Sequence, residues 1–353
     1  MISKSVARAP ARATSDPRLN GVRRRRVRDR FGTEHRKWSD ADRAMLIAVL
    51  AIGLGCLFLT TYSLALADPV PHHIDAGLVG NGDSSPTTIR AVQGVARHSL
   101  GFHPYGSAAA AIDALARQRI YAALDLTAGR PTLYVSSAAG ASVARVLEQV
   151  LAVDPTVRLV DTHPLAMTDP NGINLFYLML IATLVGFVGI FQVRVHAGGL
   201  MVRHHIAWVA GVAVTASFAL VLVDAALLHR LAARDVEEWG IVATHICAVA
   251  SFTLLMATLM GRWAIVPTWA FFVILGNTSS GGAVAPPLLP QPFAFLSSWL
   301  PSGATVTALR NAVYFRHYQH ARPIIVLALW AIVLFLAWTL IARRREAQAT
   351  ARP

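Results

Sequence analysis

Apolar residues are grouped along this chain in windows that are almost free of charge. Six such windows occur, at roughly 44–67, 173–192, 206–228, 240–260, 264–284 and 323–342. Each is close to the length of about 20 residues that a helix needs to span the hydrocarbon layer of a membrane. The pattern therefore predicts a mostly α, polytopic membrane protein with six transmembrane helices.

The stretch between the first two windows is polar enough to fold in water. Strand-like runs at 72–80, 120–126, 131–137 and 156–165 alternate there with helix-like runs at 87–100, 107–118 and about 139–152. This alternation predicts a small α/β domain over residues 68–172 with a core of its own. Histidines are scattered through it without the spacing of metal ligands, so surface histidines are favoured over a metal site.

The distribution of charge predicts how the chain lies across the membrane. The net charge is +13, and arginines cluster before the first window and again at Arg343 to Arg345 after the last. Short basic flanks of membrane helices stay in the cytoplasm. Both ends of the chain are therefore expected on the cytoplasmic side of the cell membrane, which requires an even number of crossings. We expect residues 1–43 to be a disordered basic cytoplasmic tail and residues 343–353 to be a cytoplasmic tail. The arginines of the N-terminal tail are expected to bind anionic lipids rather than nucleic acid.

The first window ends in Ala65-Leu66-Ala67, which resembles a signal-peptidase site. Its apolar stretch is longer than the roughly 7–15 residues of a signal-peptide core, so we expect an uncleaved anchor at 44–67. The α/β domain would then be extracytoplasmic, and residues 173–342 would form a five-helix membrane domain.

Motifs for the common catalytic and cofactor chemistries are missing from the sequence. Cys56 and Cys247 both lie in apolar windows, and no CxxC, HExxH or GxxxxGK[ST] pattern occurs. The chain is therefore not expected to be an enzyme or to hold a metal or cofactor. Any ATP-driven step would need a separate ATP-binding subunit.

The stretch "GNTSSGGAVAPPLLP", Gly276 to Pro290, follows an apolar run of only about 12 residues, or 18 Å of helix. The hydrocarbon layer is about 30 Å thick, so the stretch begins at membrane depth or the helix continues through it. Irregular backbone is tolerated there only where protein covers it or water reaches it. Proline-rich sequence to about residue 315 fits a re-entrant or interfacial segment as well as an ordinary helix end with an apolar loop.

Three ionisable residues in apolar surroundings are candidates for a function. Asp224 and His245 lie near the same predicted end of adjacent windows, which favours a structural polar pair over a proton relay. Arg310 has three open alternatives: a lipid phosphate, the carboxylate of Asp224, or snorkelling to the headgroups. Ser279 and Ser280 lack the GxSxG pattern of a serine hydrolase, so an intramembrane enzyme is not favoured.

These features together resemble a known family. One anchor, an external α/β domain, a "DPNG" exit at 169–172 and five further crossings are similar to the membrane subunits of type 2 ABC transporters. Within them, the chain resembles the branch of phage-infection-protein-like proteins and their relatives of unknown function. The residues that carry the resemblance are Gly276, Ser279, Ser280, Gly281, Gly282, Pro287, Pro290, Leu300, Pro301, Ala308, Leu309 and Arg310.

The resemblance implies a homodimeric export pathway driven by an ATPase subunit on the cytoplasmic side. It places the pathway or gate at Gly276, Asn277, Ser279, Ser280, Gly281, Gly282, Pro287, Pro290 and Arg310. The chain departs from the usual pattern in its arginine-rich tail, its short external domain and the lack of a coupling helix before the second crossing. Our first hypothesis is outward export of an amphipathic or lipid-like molecule. The alternative is a cell-surface receptor or envelope-assembly scaffold that acts through residues 68–172.

Overall fold

The computed structural model describes residues 39–66, 69–227, 236–318 and 320–350. The chain is mostly helical, with one small mixed sheet and five helices long and apolar enough to cross a membrane. At this level the predicted class is confirmed. The tail predicted to be disordered falls largely on residues 1–38, which lie outside the described residues, as does Ala67 of the cleavage-like site.

Helix α1 spans Asp40–Leu66 and begins with a reciprocal cap. The backbone N–H of Ser39 donates to the Asp42 carboxylate at 3.0 Å, and the N–H of Asp42 donates to the Ser39 hydroxyl at 3.1 Å. Such a pair satisfies N–H groups that the start of a helix leaves without partners, which is why the helix begins before the apolar window. Of the described residues, those from Ser39 to Gly53 belong to one unit, and those from Leu54 onward belong to a second.

Residues 69–172, which we call the α/β domain, contain one five-stranded sheet. Its strands are β1 (Ile74–Val79), β2 (Leu100–Tyr105), β3 (Ala122–Asp125), β4 (Thr132–Val135) and β5 (Arg158–Asp161). They lie in the order β2-β1-β3-β4-β5, and all neighbours are parallel except the antiparallel pair β3 and β4. The prediction missed β2, whose sequence contains a glycine and Pro104. An edge strand tolerates proline because one side of it needs no ladder hydrogen bonds.

Four helices accompany the sheet, and each overlaps a predicted helical run. They are α2 (Pro86–Val95), α3 (Ala108–Ala116), α4 (Ala141–Glu148) and the short α5 (Val150–Val153). Ser107 caps α3 by accepting the N–H of Ala110 at 3.2 Å. Apolar side chains of the sheet, α2 and α4 form the main core of the domain.

The predicted turn at "DPNG" leads into α6, Asn174–His196. The buried carboxylate of Asp169 accepts the N–H groups of Ile173 at 3.1 Å and Asn174 at 3.0 Å. A negative charge at this position is favourable because the positive end of the helix dipole lies there. The turn is also tied to α4, since Arg145 donates to the carbonyl of Asn171 at 2.8 Å.

Helices α7 (Val202–Leu227) and α8 (Val236–Met260) follow. After α8, a 3-10 turn at Gly261–Ala264, the short α9 (Ile265–Thr268) and a π-helix at Trp269–Gly276 continue the chain. These elements form one helical run of 41 residues. The fourth and fifth predicted windows both fall in this run, so the described chain has five candidate spans where six were predicted.

The 41-residue run is not straight. Gly261 has a positive φ of 61°, and the ring of Phe252 stacks on that of Phe271 with centroids 5.2 Å apart. A straight helix would separate these two residues by about 28 Å. The chain therefore turns back at Gly261, and the π-helix lies beside α8.

The last part of the chain contains α10 (Phe293–Ser297), α11 (Pro301–Tyr314) and α12 (Ala321–Thr350). Most residues of α11 are buried, and it packs against α6, α8 and α12. Apolar side chains from these helices and α7 form a shared core, which includes Leu178, Val221, Ile246, Leu309 and Leu327. Helix α11 thus lies inside the bundle and not along its surface.

Candidate functional site

The stretch from Gly276 to Ser280 is buried on all sides by protein. Helical geometry continues through Thr278, and the N–H of Ser279 still donates to the carbonyl of Leu275 at 3.1 Å. The chain then turns at Gly281, whose φ of 71° is a conformation that side chains rarely adopt. The helix therefore continues through the first half of the predicted gate and ends in the second half.

Two glycines of the stretch allow neighbouring helices to approach closely. A Cβ at Gly276 would lie 2.6 Å from the Ser302 hydroxyl of α11, and one at Gly282 would lie 2.7 Å from the Cβ of Phe176 in α6. Both distances are shorter than real carbon contacts. The small residues are thus required for packing between this stretch and the two helices.

Hydroxyl and amide groups are concentrated in this tightly packed region. Within the described part of the chain, the hydroxyls of Ser279 and Ser302 are buried without a hydrogen-bond partner. Asn277 is also buried and lies beside Tyr62 of α1, whose hydroxyl is 3.4 Å from the carbonyl of Val273. Buried polar groups without partners are costly, so this cluster is unusual for a site that serves packing alone.

Residues 279–289, which we term the linking segment, leave the membrane helices and enter the α/β domain. Val284, Ala285, Leu288 and Leu289 are part of the main hydrophobic core of that domain. The N–H of Ala285 donates to the Ser142 hydroxyl at 2.9 Å, and the carbonyl of Pro287 accepts the N–H of His72 at 3.0 Å. The sequence prediction missed this association, because Ala285 and Ser142 are 143 positions apart.

Pro287 and Pro290, both predicted at the gate, lie in or just after this segment. Pro287 belongs to a 3-10 turn at Pro286–Leu288, and its carbonyl makes the contact to the α/β domain. Pro290 accepts the N–H of Ala294 at 3.3 Å, where the chain approaches α10. The structure therefore places Pro287 at the α/β domain and Pro290 just before α10.

Arg310 of α11 points back toward the linking segment. Its guanidinium donates to the carbonyl of Gly281 at 3.0 Å. Of the three alternatives left open by the sequence, the Asp224 carboxylate is wrong, because it accepts from Asn174 and forms no ion pair with Arg310 among the described contacts. The lipid phosphate and the headgroup region stay predictions. Burial raises the pKa of the neighbouring Tyr121, and the nearby Arg310 charge acts in the opposite direction.

A cavity of roughly 370 Å³ lies beside Arg310. The α/β domain contributes Gln118, Ile120 and Tyr121 to its walls, and α11 contributes Ala304 and Thr307. The exposed side chains of Ser298, His320 and Arg322 mark its mouth. The sequence indicated only Arg310 of this site, since the other lining residues come from three distant parts of the chain.

His245 joins three helices deep in the bundle. Its fully buried ring lies 2.8 Å from the Thr183 hydroxyl of α6 through Nε2 and 2.9 Å from the Thr305 hydroxyl of α11 through Nδ1. Each threonine hydroxyl is also within reach of a backbone carbonyl of its own helix, that of Met179 or that of Pro301. A neutral imidazole has one donor and one acceptor, so one threonine donates to the ring and the other accepts from it.

The predicted polar pair between Asp224 and His245 is wrong. Asp224 of α7 accepts a hydrogen bond from the Asn174 side chain at 3.2 Å, and both ring nitrogens of His245 bind threonines. The two residues thus join α6 to different helices. The sequence indicated only that Asp224 and His245 lie at similar depths in the membrane. It could not indicate which faces of α7 and α8 meet.

Two histidines of the α/β domain lie beside one carboxylate. Asp75 on β1 faces both, with one carboxylate oxygen 3.3 Å from Nε2 of His73 and 3.0 Å from Nε2 of His103. Among the residues that the structure describes, no group of three or more His, Cys, Asp or Glu could hold a metal ion.

We expect His163 to make the contact between the α/β domain and α11 sensitive to pH. Its ring lies 5.0 Å from that of Phe315, and burial lowers the pKa of His163 while Asp161 partly opposes this. A pKa below the unfolded value of about 6.5 means that the unfolded chain binds the proton more readily. The contribution of neutral His163 to the free energy of unfolding is therefore complete above about pH 6.5. It falls as the pH drops from there through the lower pKa of His163 in the folded state.

The measurement is the thermal unfolding midpoint at about pH 7.5 and pH 5 for the natural chain and for His163→Gln. The variant should show a smaller loss on acidification, because glutamine does not titrate. Equal losses in both proteins would assign the pH dependence to other groups.

Comparisons with protein-family models, with curated proteins and with solved structures give no match to this chain. The resemblance to type 2 ABC transporter membrane subunits therefore stays a prediction.

Proposed function

We propose that this chain is the membrane subunit of an ABC-type exporter that moves an amphipathic, lipid-like molecule outward. The observation that supports it best is the course of the linking segment. Directly after the buried small residues of the predicted gate, the chain enters the core of the α/β domain and borders the cavity at Arg310. A movement of the membrane helices at this point would therefore reach the α/β domain through the backbone.

We infer six crossings from the contacts between distant segments. The α/β domain precedes α6, and the linking segment follows the π-helix, yet the two are joined by the bonds His72 to Pro287 and Ala285 to Ser142. They must lie on the same side of the membrane, which requires an even number of crossings between them. Helices α6, α7 and α8 supply three, and the returning segment at 265–278 supplies the fourth.

The returning segment is short for a crossing. Its 14 residues reach about 21 Å as an α-helix, against about 30 Å of hydrocarbon. Protein covers the backbone where the helix ends, as irregular structure at membrane depth requires. This is consistent with α11 as a re-entrant helix that fills the remaining depth from the same side.

The orientation follows from the basic residues. With α1 and α12 added, six crossings place both ends of the chain on one side, and Arg343 to Arg345 favour the cytoplasm for that side. The turns with Arg194 and Arg262 then also lie inside. The α/β domain, the cavity and the linking segment lie outside the cell membrane.

Small residues and buried hydroxyls support a gate at Gly276 to Gly282. Close helix packing would keep the pathway shut, and a modest separation of α6 and α11 would expose the Ser279 and Ser302 hydroxyls to a passing polar group. An isolated packing contact would have no use for polar groups at this depth. Homodimerisation and a separate ATPase subunit on the inner side are further parts of the proposal.

The proposed function is tested by capture and by reconstitution. The tagged full-length chain, purified gently from its own membranes, is expected to bring an ATP-hydrolysing subunit with it. Vesicles containing that complex should move fluorescent phosphatidylglycerol from the inner to the outer leaflet when ATP is added to the cytoplasmic face. A membrane-impermeant reductant, which quenches only accessible label, measures the movement.

Gly282→Leu provides the matched inactive variant, because its side chain would enter the space of Phe176. It should insert in the membrane and capture the ATPase but move little lipid. Capture of no ATPase together with no ATP-dependent movement would favour the scaffold alternative. Deletion of residues 69–172 is a poor test, since it would expose the apolar side chains of the linking segment.

A further inference from the structure

We infer that the cavity beside Arg310 binds the phosphate headgroup of an anionic lipid whose acyl chains stay in the outer leaflet. This inference rests on the proposed function, because it names the class of molecule that the protein would move.

The cavity is cationic. Two arginines line it, Arg310 at the inner end and Arg322 at the mouth. His320, between the α/β domain and α12, also lines it. None of the described residues that line it is an aspartate or glutamate. Two guanidinium groups in one concave site favour a phosphate, whose oxygens accept paired N–H donors.

Arg310 has N–H groups that no described acceptor uses. A guanidinium has five N–H groups, and the described residues supply this one with a single hydrogen-bond acceptor, the carbonyl of Gly281 at 3.0 Å. No carboxylate of the described chain forms an ion pair with it. A partly buried cation with a single acceptor is costly, and an anion in the adjoining cavity would offset that cost.

Polar groups around the two arginines complete the headgroup site. Ser297 and Thr307 offer hydroxyls, and the Gln118 amide is held in place by a bond of 2.8 Å to the Asn311 side chain. The imidazole of His320 is positioned by the backbone carbonyl of Arg117 at 2.8 Å. These groups suit a phosphate that carries a hydroxylated substituent such as glycerol.

The mouth of the cavity is bordered by apolar side chains that face outward. Arg322 lies over the ring of Trp299 at 5.2 Å, and Trp299 itself is 50% exposed. Phe295 on one side and Ile324 and Ile325 on the other are also exposed. Tryptophan and arginine together are typical of the boundary between hydrocarbon and headgroups, which sets the cavity at the depth of lipid phosphates.

The size of the cavity favours a headgroup over a complete lipid. Its volume of roughly 370 Å³ is near the lower end of the range of about 300–1,000 Å³ found for small-molecule sites. Two acyl chains would not fit beside the headgroup. They would instead lie along Phe295 and Trp299 in the bilayer.

Binding is tested with the full-length protein in nanodiscs of phosphatidylcholine to which phosphatidylglycerol is added. We expect phosphatidylglycerol to bind and to raise the thermal unfolding midpoint. Arg310→Gln and Arg322→Gln should each weaken this binding about tenfold, as expected for the loss of a charge-assisted hydrogen bond. Arg322 is exposed, so its variant tests the site even if Arg310→Gln fails to fold.

The matched control is Arg316→Gln. This exposed arginine donates to the carbonyl of Ala312 near the end of α11 and does not line the cavity. Its replacement removes the same charge from the same region and should change binding less than twofold. Equal weakening by Arg316→Gln and Arg322→Gln would overturn the site in favour of general surface charge, as would equal binding of the two lipids.

Glycerol 3-phosphate, added as a competitor, distinguishes a lipid headgroup from a soluble phosphate ester of the same chemistry. Weak competition by it supports a lipid, and competition as strong as that of phosphatidylglycerol overturns the lipid in favour of a soluble ligand. The lipid-movement assay separates this inference from the proposed function. Specific binding without ATP-dependent movement would overturn the function alone, and movement unchanged in Arg322→Gln would overturn the site alone.

Discussion

Gly303→Ala is expected to lower the thermal unfolding midpoint by roughly 5 °C or more. Gly303 lies in the first turn of α11, and a Cβ there would be 2.0 Å from the carbonyl oxygen of Ser297 and 2.8 Å from its carbon. Neither backbone atom can rotate away, so the end of α10 must separate from α11. Overpacking of this kind typically costs about 1–3 kcal/mol, and a distance this short places the change at the upper end or beyond.

The displacement should also reach the two contacts that α11 makes in the bundle. Ser302 faces Gly276, and Thr305 is bonded to His245 at 2.9 Å. We therefore expect faster hydrogen exchange in the π-helix as well as in α10. Unfolding of the purified protein in detergent, followed by intrinsic fluorescence, measures the change in stability.

Gly211→Ala is the matched control, since it makes the same chemical change inside the membrane helix α7. No atom of the described neighbouring residues lies within 4 Å of a Cβ at Gly211. Alanine should leave the midpoint unchanged or raise it slightly, because alanine favours helix over glycine by about 1 kcal/mol. Similar losses in both variants would show that the close approach at Gly303 is not the cause.

Leu288→Ala is expected to destabilise the α/β domain, although Leu288 lies far from it in the sequence. Its side chain is fully buried in the core formed by the sheet, α2 and α4. Truncation of a buried leucine costs about 2–5 kcal/mol, through lost contacts and the cavity left behind. Hydrogen exchange should accelerate in β1 and α4, while α7 keeps its protection.

Leu151→Ala serves as the control for that experiment. Leu151 lies in α5 of the same domain but is 41% exposed. Its truncation should cost at most about 1 kcal/mol, as is usual for surface positions. If exchange in residues 69–172 were the same in Leu288→Ala and in the natural chain, the linking segment would not contribute to the domain core.

Local patterns were sufficient for much of the fold. Four of the six apolar windows coincide with separate candidate spans and the other two share one helical run, because hydrocarbon thickness sets a length that can be counted along the chain. The strand at β2 was missed for an equally local reason. Glycine and Pro104 argue against a strand wherever both edges are paired, and only the sheet order shows that β2 has a free edge.

The candidate site was only partly predictable. The position of Gly276 to Gly282 after a short apolar run indicated irregular backbone at membrane depth, and the structure covers that backbone with α6 and α11. The partners of Asp224, His245 and Arg310 could not be predicted. Depth in the membrane can be counted from the sequence, but the face that each helix turns to its neighbours depends on packing.

By itself, the sequence determined the class of protein, the approximate helix ends, the α/β domain and the place where small residues interrupt the fifth window. Only the tertiary structure decided that the chain turns back at Gly261, that the linking segment completes the core of the α/β domain, and that Arg310 borders a cavity. The physical reason is the range of the interactions. Hydropathy and turn chemistry act within about 20 residues, whereas Ala285 and Ser142 are bonded across 143 positions. They meet because the apolar side chains of the linking segment and of the α/β domain are buried together.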